Sequence, residues 1–95
     1  MSQNHKPHVL IQYCPECNWL PRSAWMAQEI LGTFVDEVGQ VALEPSCEAG
    51  LFRIHVDGGL LWCRKSEGGF PDVKALKKRI RDKIAPDREL GHLDN

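Results

Sequence analysis

Runs of apolar residues separated by turn residues predict the secondary structure along most of this chain. Residues 9–13, VLIQY, are apolar and β-prone, and the run stops at CPEC. Pro15 fixes its own φ and disfavours helical backbone at Cys14. We therefore predict a buried first strand over residues 9–13, followed directly by a turn.

The next segment has the periodicity of an amphipathic helix. Apolar residues recur at helical spacing and polar residues take the other face: Leu20, Ala24, Ala27, Leu31 and Phe34/Val35 against Arg22, Gln28, Glu29 and Asp36. Proline is tolerated in the first turn of a helix, and glycine commonly follows its end. The pattern predicts a helix from about Pro21 to Asp36, closed by Gly39, with the leucine-containing face buried.

Three short strands and a second helix are predicted in the rest of the chain. The strands are QVALEP (40–45), the alternating LFRIHV (51–56) and LLWC (60–63), and DGG makes the last two a hairpin. We expect SEGG (66–69) to form a turn. Segment 70–85 predicts a helix that Pro86 ends, with Val73, Leu76, Ile80 and Ile84 on one face and Lys74, Lys77, Lys78 and Arg81 mostly on the other.

The resulting order, β-α-β-β-β-α, predicts one α/β domain with a single mixed sheet covered by helices. A helix joins the first two strands, so they should be parallel through a right-handed crossover, and the hairpin should extend the sheet antiparallel. We place the domain at residues 9–86, after an N-terminal segment 1–8. The polar segment 87–95 is expected to be a loosely held C-terminal tail.

Composition narrows the function classes. The 95 residues are 42% hydrophobic and 26% charged, with a formal charge of -1, which disfavours disorder and a strongly basic nucleic-acid binder. The apolar runs are far shorter than the roughly 18 residues that span a bilayer. The first residues lack the pattern of a secretory signal. We expect a cytoplasmic protein that binds neither nucleic acid nor membrane, and in that reducing compartment a CxxC is more often catalytic or metal-binding.

The CxxC motif, Cys14 and Cys17, carries the chemistry. Two cysteines at this spacing, on a turn that enters a helix, bring their sulfurs close enough for a disulfide. The helix N-terminus should stabilise a thiolate, which is the attacking species in disulfide exchange, and the second thiol can resolve a mixed disulfide. A CxxC near a βαβ pattern is typical of a redox dithiol.

Two other interpretations of the cysteines remain open. A structural zinc site would need further ligands, for which Cys47, Cys63 and His55 are available, but no second CxxC or HxxxH is present. Alternatively, Cys14 and Cys17 could be plain structural thiols. We predict Cys63, within the apolar LLWC, to be a small buried hydrophobe, and Cys47 to be an incidental loop thiol that the topology could place near the active end.

Three segments together resemble the selenoprotein W-like (SelT/SelW/SelH, or Rdx) family: YCPECNW, GLFRIHVDGGLLWCRK and EGGFPDVKALKKRIRD. The likeness covers residues 9–86 and identifies a bacterial, cysteine-containing member. It implies a thioredoxin-like fold and a thiol-based role in cell redox homeostasis. It also implies thiol or disulfide protein partners linked to glutathione, thioredoxin or peroxide defence. Glutathione would then be a co-substrate, with no bound cofactor or metal.

The family's reactive positions fall on Cys14 and Cys17. Selenium takes the second position in selenocysteine-bearing relatives, which favours Cys17 as the attacker, whereas the helix argument favours Cys14 as the more exposed thiol. We therefore assign no order. No proline directly precedes the third predicted strand, because Pro45 lies well upstream, so we expect substrate docking to differ from that of classical thioredoxins. Phe52 and Phe70 are candidates for partner contacts, with Phe52 expected in the core; a redox-sensitive binding module without turnover is the alternative function.

Overall fold

Residues 5–90, which the computed structural model describes, contain one four-stranded sheet and three helices. The elements are β1 (His8–Tyr13), α1 (Leu20–Thr33), β2 (Gln40–Pro45), β3 (Phe52–Val56), β4 (Gly59–Cys63), α2 (Arg64–Glu67) and α3 (Val73–Ile84). The predicted β-α-β-β-β-α order is confirmed. The short helix α2 was not predicted, and it includes the first half of the segment that we expected to be a turn. Gly68, with φ +83°, ends it.

The sheet has the strand order β2-β1-β3-β4. β1 runs parallel to β2, while the β1–β3 and β3–β4 pairs are antiparallel, as predicted. Tyr13 at the end of β1 is opposite both Pro45 of β2 and Phe52 of β3. The segments that follow β1, β2 and β4, and the one that precedes β3, therefore meet at one edge of the sheet, which we call the dithiol edge.

The buried face of α1 agrees with the predicted one only at Ala27 and Phe34. Its buried residues are Ser23, Met26, Ala27 and Ile30, and Phe34 directly after the helix is also buried. Leu20, Leu31 and Val35, which we predicted to be buried, are exposed. Both faces carry apolar residues at helical spacing, and Ser23 made the true core face look more polar. Contact with the sheet decides which face is buried.

The helix α3 packs beside α1 through its predicted apolar face. Leu76 and Ile80 are buried, and the side chain of Asp72 caps the helix by accepting a hydrogen bond from the Ala75 N–H at 2.7 Å. Lys77, which we predicted on the polar face, is only 8% exposed. Its ammonium group lies 3.1 Å from a carboxylate oxygen of Glu29 on α1, so the pairing offsets part of the cost of burying the charge.

The first residues of the predicted tail are held against α1. Arg88 donates to the Thr33 carbonyl at 2.6 Å and to the Glu37 carboxylate at 2.9 Å, and Leu90 is buried. The prediction of a loosely held tail is therefore wrong for residues 87–90, because the buried Leu90 and the partly buried hydrogen bonds of Arg88 fix them. Residues 1–4 and 91–95 lie outside the described part of the chain.

None of the helices in residues 5–90 is long and apolar enough to cross a bilayer.

Candidate redox site

Both cysteines of the CxxC motif lie in the turn that joins β1 to α1. Cys14 directly follows β1, and a hydrogen bond from the Asn18 N–H to the Pro15 carbonyl, 3.1 Å, closes the turn. Asn18 has φ +61°, a left-handed conformation that asparagine tolerates better than most residues. Trp19 is the N-cap residue of α1. The motif is therefore at the strand-to-helix junction, as its position in the sequence predicts.

The two thiols differ in exposure in the opposite sense to our expectation. Cys14 is 1% exposed, whereas Cys17 is partly exposed. The reason is that Cys14 directly continues β1, which has β2 on one side and β3 on the other. Cys17 lies further along the turn, beyond the end of the strand. A partner sulfur can therefore approach Cys17 more readily than Cys14.

The protonation equilibria of the two thiols are coupled. The Cys17 thiol donates a hydrogen bond to the Cys14 sulfur; this is the main cause that lowers the pKa of Cys14, helped by the backbone N–H of Gly50 and opposed by burial. The same hydrogen bond, together with burial, raises the pKa of Cys17. One proton is thus shared by the pair, and the first negative charge to form resides mainly on Cys14.

The loop between β2 and β3 provides a donor that faces the dithiol. Gly50 has φ +77°, a conformation that glycine adopts without strain, and its backbone N–H lowers the pKa of both cysteine thiols. The Ser46 N–H donates to the Tyr13 carbonyl at 2.8 Å, which fixes the start of this loop beside β1. Sequence reasoning missed Gly50 as part of the site. The GLF segment was a family match, but nothing local indicated a contact with CPEC.

Most of this chain matches a known protein family. Residues 8–82 match the model of the Rdx family. The chain belongs to the Rdx family. A crystal structure of a protein from Bordetella parapertussis is 54% identical, covers 83% of this chain and 99% of its own, and has a TM-score of 0.80. A selenoprotein W-related protein from Vibrio cholerae is 49% identical, with 83% and 98% coverage and a TM-score of 0.80. No curated protein matches the chain.

These similarities establish the fold of this Rdx protein. The mixed four-stranded sheet with helices is the thioredoxin-like α/β fold of the selenoprotein W-related structures. Pro45 is the last residue of β2 and pairs with Tyr13 of β1. The residues directly before β3 are Gly50 and Leu51, where no proline is present. In this Rdx protein a glycine N–H therefore faces the CxxC from the segment that enters β3.

Three aromatic side chains pack together on the β4 side of the dithiol. The Phe70 ring packs edge to face against Trp19 at 5.0 Å and against Phe52 at 4.9 Å. Phe52 is buried, as expected, while Phe70 is half-buried and stays partly accessible at the surface. Two arginines, Arg22 and Arg64, lie over these rings. Sequence reasoning placed Arg22 only on a polar helix face and gave Arg64 no role.

An open cavity of about 480 Å³ lies on the β2 side of the dithiol. Its walls are formed by the CPEC turn and by the loop after β2: Cys14, Pro15, Glu16, Pro45, Ser46, Cys47 and Ala49. Cys47 is exposed there. The topology thus places the loop thiol at the dithiol edge.

Cys63 is not the buried hydrophobe that we predicted. It is partly exposed, because strand alternation directs Trp62 to the core and places Cys63 on the other face of the sheet beside Arg53. The backbone N–H and the hydroxyl of Ser66 lower the pKa of Cys63 to about 7, and Arg53 contributes further. The apolar LLWC run concealed this polar environment.

The ligand set considered for zinc does not come together in the described structure. Across residues 5–90, no group of three or more His, Cys, Asp or Glu side chains is arranged to hold a metal ion. His55 on β3 is paired with Leu10 of β1 on one side and with Leu60 of β4 on the other. Leu10 precedes Cys14 by four residues, so His55 lies away from the dithiol edge. His55 is therefore not placed to act as a base for the dithiol.

We expect Cys63 to be alkylated readily at neutral pH. Because its pKa is lowered to about 7, half of the thiol is ionised at that pH, against roughly 3% for an ordinary cysteine. The rate of reaction with iodoacetamide should rise with pH and reach half its maximum near pH 7. The measurement uses a variant in which serine replaces Cys14, Cys17 and Cys47, so that Cys63 is the one remaining thiol.

The matched control is Ser66→Ala in the same variant. Removing the hydroxyl should move the midpoint of the profile to higher pH, while the backbone N–H keeps part of the effect. A midpoint at pH 8.5 or above before the Ser66 change would contradict the assignment of a lowered pKa.

Proposed function

We propose that this Rdx protein is a thiol–disulfide oxidoreductase that cycles Cys14 and Cys17 between dithiol and disulfide. The observation that carries the proposal is the placement of both cysteines in one strand-to-helix turn, close enough that each thiol shifts the pKa of the other. Such a pair has one sulfur with thiolate character and a second thiol within reach of it. These are the two groups that disulfide exchange requires.

In the proposed cycle Cys17 reacts first with the substrate. Its thiolate attacks a disulfide RSSR, so that a Cys17–SR bond forms, the S–S bond breaks and RS⁻ leaves. The departing RS⁻ takes the proton that Cys14 accepted from Cys17, which restores the Cys14 thiolate. This thiolate attacks the Cys17 sulfur, so that the Cys14–Cys17 bond forms, the Cys17–SR bond breaks and the second RS⁻ departs. The protein loses two electrons and the substrate gains two. Exposure favours Cys17 as the attacker, since in-line attack needs access that the buried Cys14 lacks.

The proton of Cys17 must leave before attack. The Cys14 sulfur already accepts the Cys17 hydrogen bond, and it is the nearest base for that proton. The Gly50 N–H stabilises negative charge on either sulfur, so this stabilisation remains when the charge moves from Cys14 to Cys17. The buried cysteine thus acts first as base and later as resolving nucleophile.

Partners and compartment are proposed from the family resemblance. We propose thiol or disulfide proteins as partners, with glutathione or thioredoxin as electron donor, and a role in cytoplasmic redox homeostasis. Membership of the Rdx family and the selenoprotein W-related neighbour support a redox role in general.

A second candidate function is a binding module that captures a partner in one oxidation state. The half-buried Phe70, in contact with Trp19 beside Cys17, favours it. The two functions differ in turnover. Equal partner capture by the oxidised, the reduced and the doubly serine-substituted protein would contradict the binding module.

The test of the proposed function is an equilibrium titration against glutathione redox buffers. We expect a reversible two-electron transition between about -180 and -320 mV, the range of cellular poise, with both CxxC thiols protected from alkylation together. Alkylation and mass spectrometry of the peptide that contains Cys14 and Cys17 give the oxidised fraction. If the pair forms no disulfide in any buffer, the oxidoreductase proposal fails.

A further inference from the structure

Two arginines and two aromatic rings form a cluster beside the dithiol. The guanidinium carbon of Arg64 lies 4.9 Å from the centre of the Trp19 ring and 5.6 Å from that of Phe70. The guanidinium carbon of Arg22 lies 4.3 Å from the centre of the Phe70 ring. We call Trp19, Arg22, Arg64 and Phe70 the arginine–aromatic cluster. It holds two like charges close to one ring.

These two charges lack acidic partners in the described structure. Arg79, Arg81 and Arg88 each form an ion pair with a carboxylate at 3.0 Å or less. Within residues 5–90, neither Arg22 nor Arg64 has a carboxylate oxygen within ion-pair distance. The aromatic rings hold the guanidinium planes by cation–π contact, which leaves the N–H donors at the guanidinium edges available.

The cluster lies next to the more exposed thiol. Trp19 follows Cys17 closely in sequence, and the positive charge of Arg64 acts on the Cys17 thiol to lower its pKa, against the larger effects that raise it. Glu16, the acidic residue of the CPEC turn, lines the cavity on the opposite, β2 side. A group that approaches Cys17 from the β4 side therefore meets two cations.

We infer that Arg22 and Arg64 bind a carboxylate that the substrate carries close to its reacting sulfur, so that Cys17 prefers anionic disulfides. The inference rests on the proposed thiol–disulfide exchange and specifies its substrate class. A guanidinium matches a carboxylate with two parallel N–H donors, so the pair can orient the substrate as well as attract it. The disulfide exchange itself is unchanged; the carboxylate stays on RS⁻ as the thiolate leaves.

The experiment compares three small disulfides that differ in charge. The anionic probe is 3,3′-dithiodipropionate, the neutral one is 2-hydroxyethyl disulfide and the cationic one is cystamine. Second-order rates of oxidation of the reduced protein are measured in single turnover, in a variant with serine at Cys47 and Cys63. Each rate is divided by that of dithiothreitol with the same probe, which removes the intrinsic reactivity of the disulfide.

We expect the normalised anionic rate to exceed the cationic rate by about tenfold at low salt. The preference should fall with added salt, and the double variant Arg22→Gln/Arg64→Gln should lose it. A double variant Arg22→Lys/Arg64→Lys keeps both charges and should retain most of the preference. Because Arg64 also affects Cys17 directly, the readout is the ratio of two rates in one variant rather than a single rate.

The matched control removes two charges elsewhere. Lys78 and Lys83 are exposed on α3, and Lys78→Gln/Lys83→Gln changes the net charge equally. This variant should keep the preference, since the effect is local. Equal loss in both glutamine variants would overturn the assignment to the cluster and indicate a long-range effect of net charge.

A second arm distinguishes the source of the carboxylate. Cysteine peptides with aspartate or with lysine beside the cysteine, as symmetric disulfides, replace the small probes. Selectivity in the small probes assigns the site to low-molecular-weight thiols, and selectivity in the peptides alone assigns it to acidic protein segments. Equal normalised rates in both arms overturn the inference while leaving the oxidoreductase in place. Failure to reduce any disulfide instead defeats the proposed function.

Discussion

A Cys14→Ser variant is expected to form one stable mixed disulfide, at Cys17, when it reacts with a disulfide. The exposed Cys17 can still attack a disulfide such as 2-hydroxyethyl disulfide, but no second thiol resolves the adduct. Loss of the Cys14 sulfur removes the base that takes the Cys17 proton, but it also removes the hydrogen bond that raises the pKa of Cys17, and the second effect offsets the first. Mass spectrometry of the intact protein should show one stable adduct, located at Cys17.

The reciprocal variant, Cys17→Ser, separates ionisation from access. The serine hydroxyl can still donate a hydrogen bond to the Cys14 sulfur, so the pKa of Cys14 should remain lowered. Cys14 is 1% exposed, however, and must become accessible through local opening before it can react. We expect adduct formation to be about 100-fold slower than in Cys14→Ser, which corresponds to an opening cost of about 2.7 kcal/mol.

Both measurements need serine at Cys47 and Cys63, because these thiols would add adducts of their own. The double variant Cys14→Ser/Cys17→Ser in that background should form none. If Cys17→Ser reacts as fast as Cys14→Ser, burial does not control the order of attack and Cys14 is the first nucleophile. Either order is compatible with the redox dithiol, so this comparison tests the mechanism independently of the titration.

The strands were predictable because each has a local signature. VLIQY ends at a proline-containing turn, and LFRIHV alternates and leads into a DGG turn. The buried face of α1 was not predictable in the same way, since Leu31 and Val35 form as apolar a stripe as Ile30 and Phe34 do. Only packing against the sheet distinguishes the two faces, and that packing depends on segments distant in sequence.

The same contrast, between local sequence signals and contacts between distant segments, applies to the candidate redox site. Cys14 and Cys17 were candidates because their spacing is itself a chemical signal. Gly50 and Arg64 come from later segments of the chain, and no local pattern connects either residue to the CPEC turn. The exposure of the two thiols was predicted in the wrong order, because a local argument about the helix N-terminus could not account for the neighbouring strands that bury Cys14.

Phe34→Ala is expected to give the largest loss of stability among single core substitutions at the end of α1. Phe34 is 0% exposed, belongs to the core together with Ile11 and Ile54, and has the Arg88 guanidinium 5.3 Å from its ring centre. Removing a buried aromatic ring typically costs about 3–5 kcal/mol. The free energy of unfolding should be measured with urea under reducing conditions, so that no disulfide contributes.

Val35→Ala is the matched control, since Val35 is the next residue and is 67% exposed. It should change the free energy of unfolding by no more than about 0.5 kcal/mol. A difference of less than 1 kcal/mol between the two variants would show that Phe34 is not a core residue. Phe34 lies at the opposite end of α1 from Cys17, so the folded fraction of Phe34→Ala should keep the exchange rate of the parent protein. Loss of stability without loss of rate would separate the core that supports the fold from the dithiol edge that performs the chemistry.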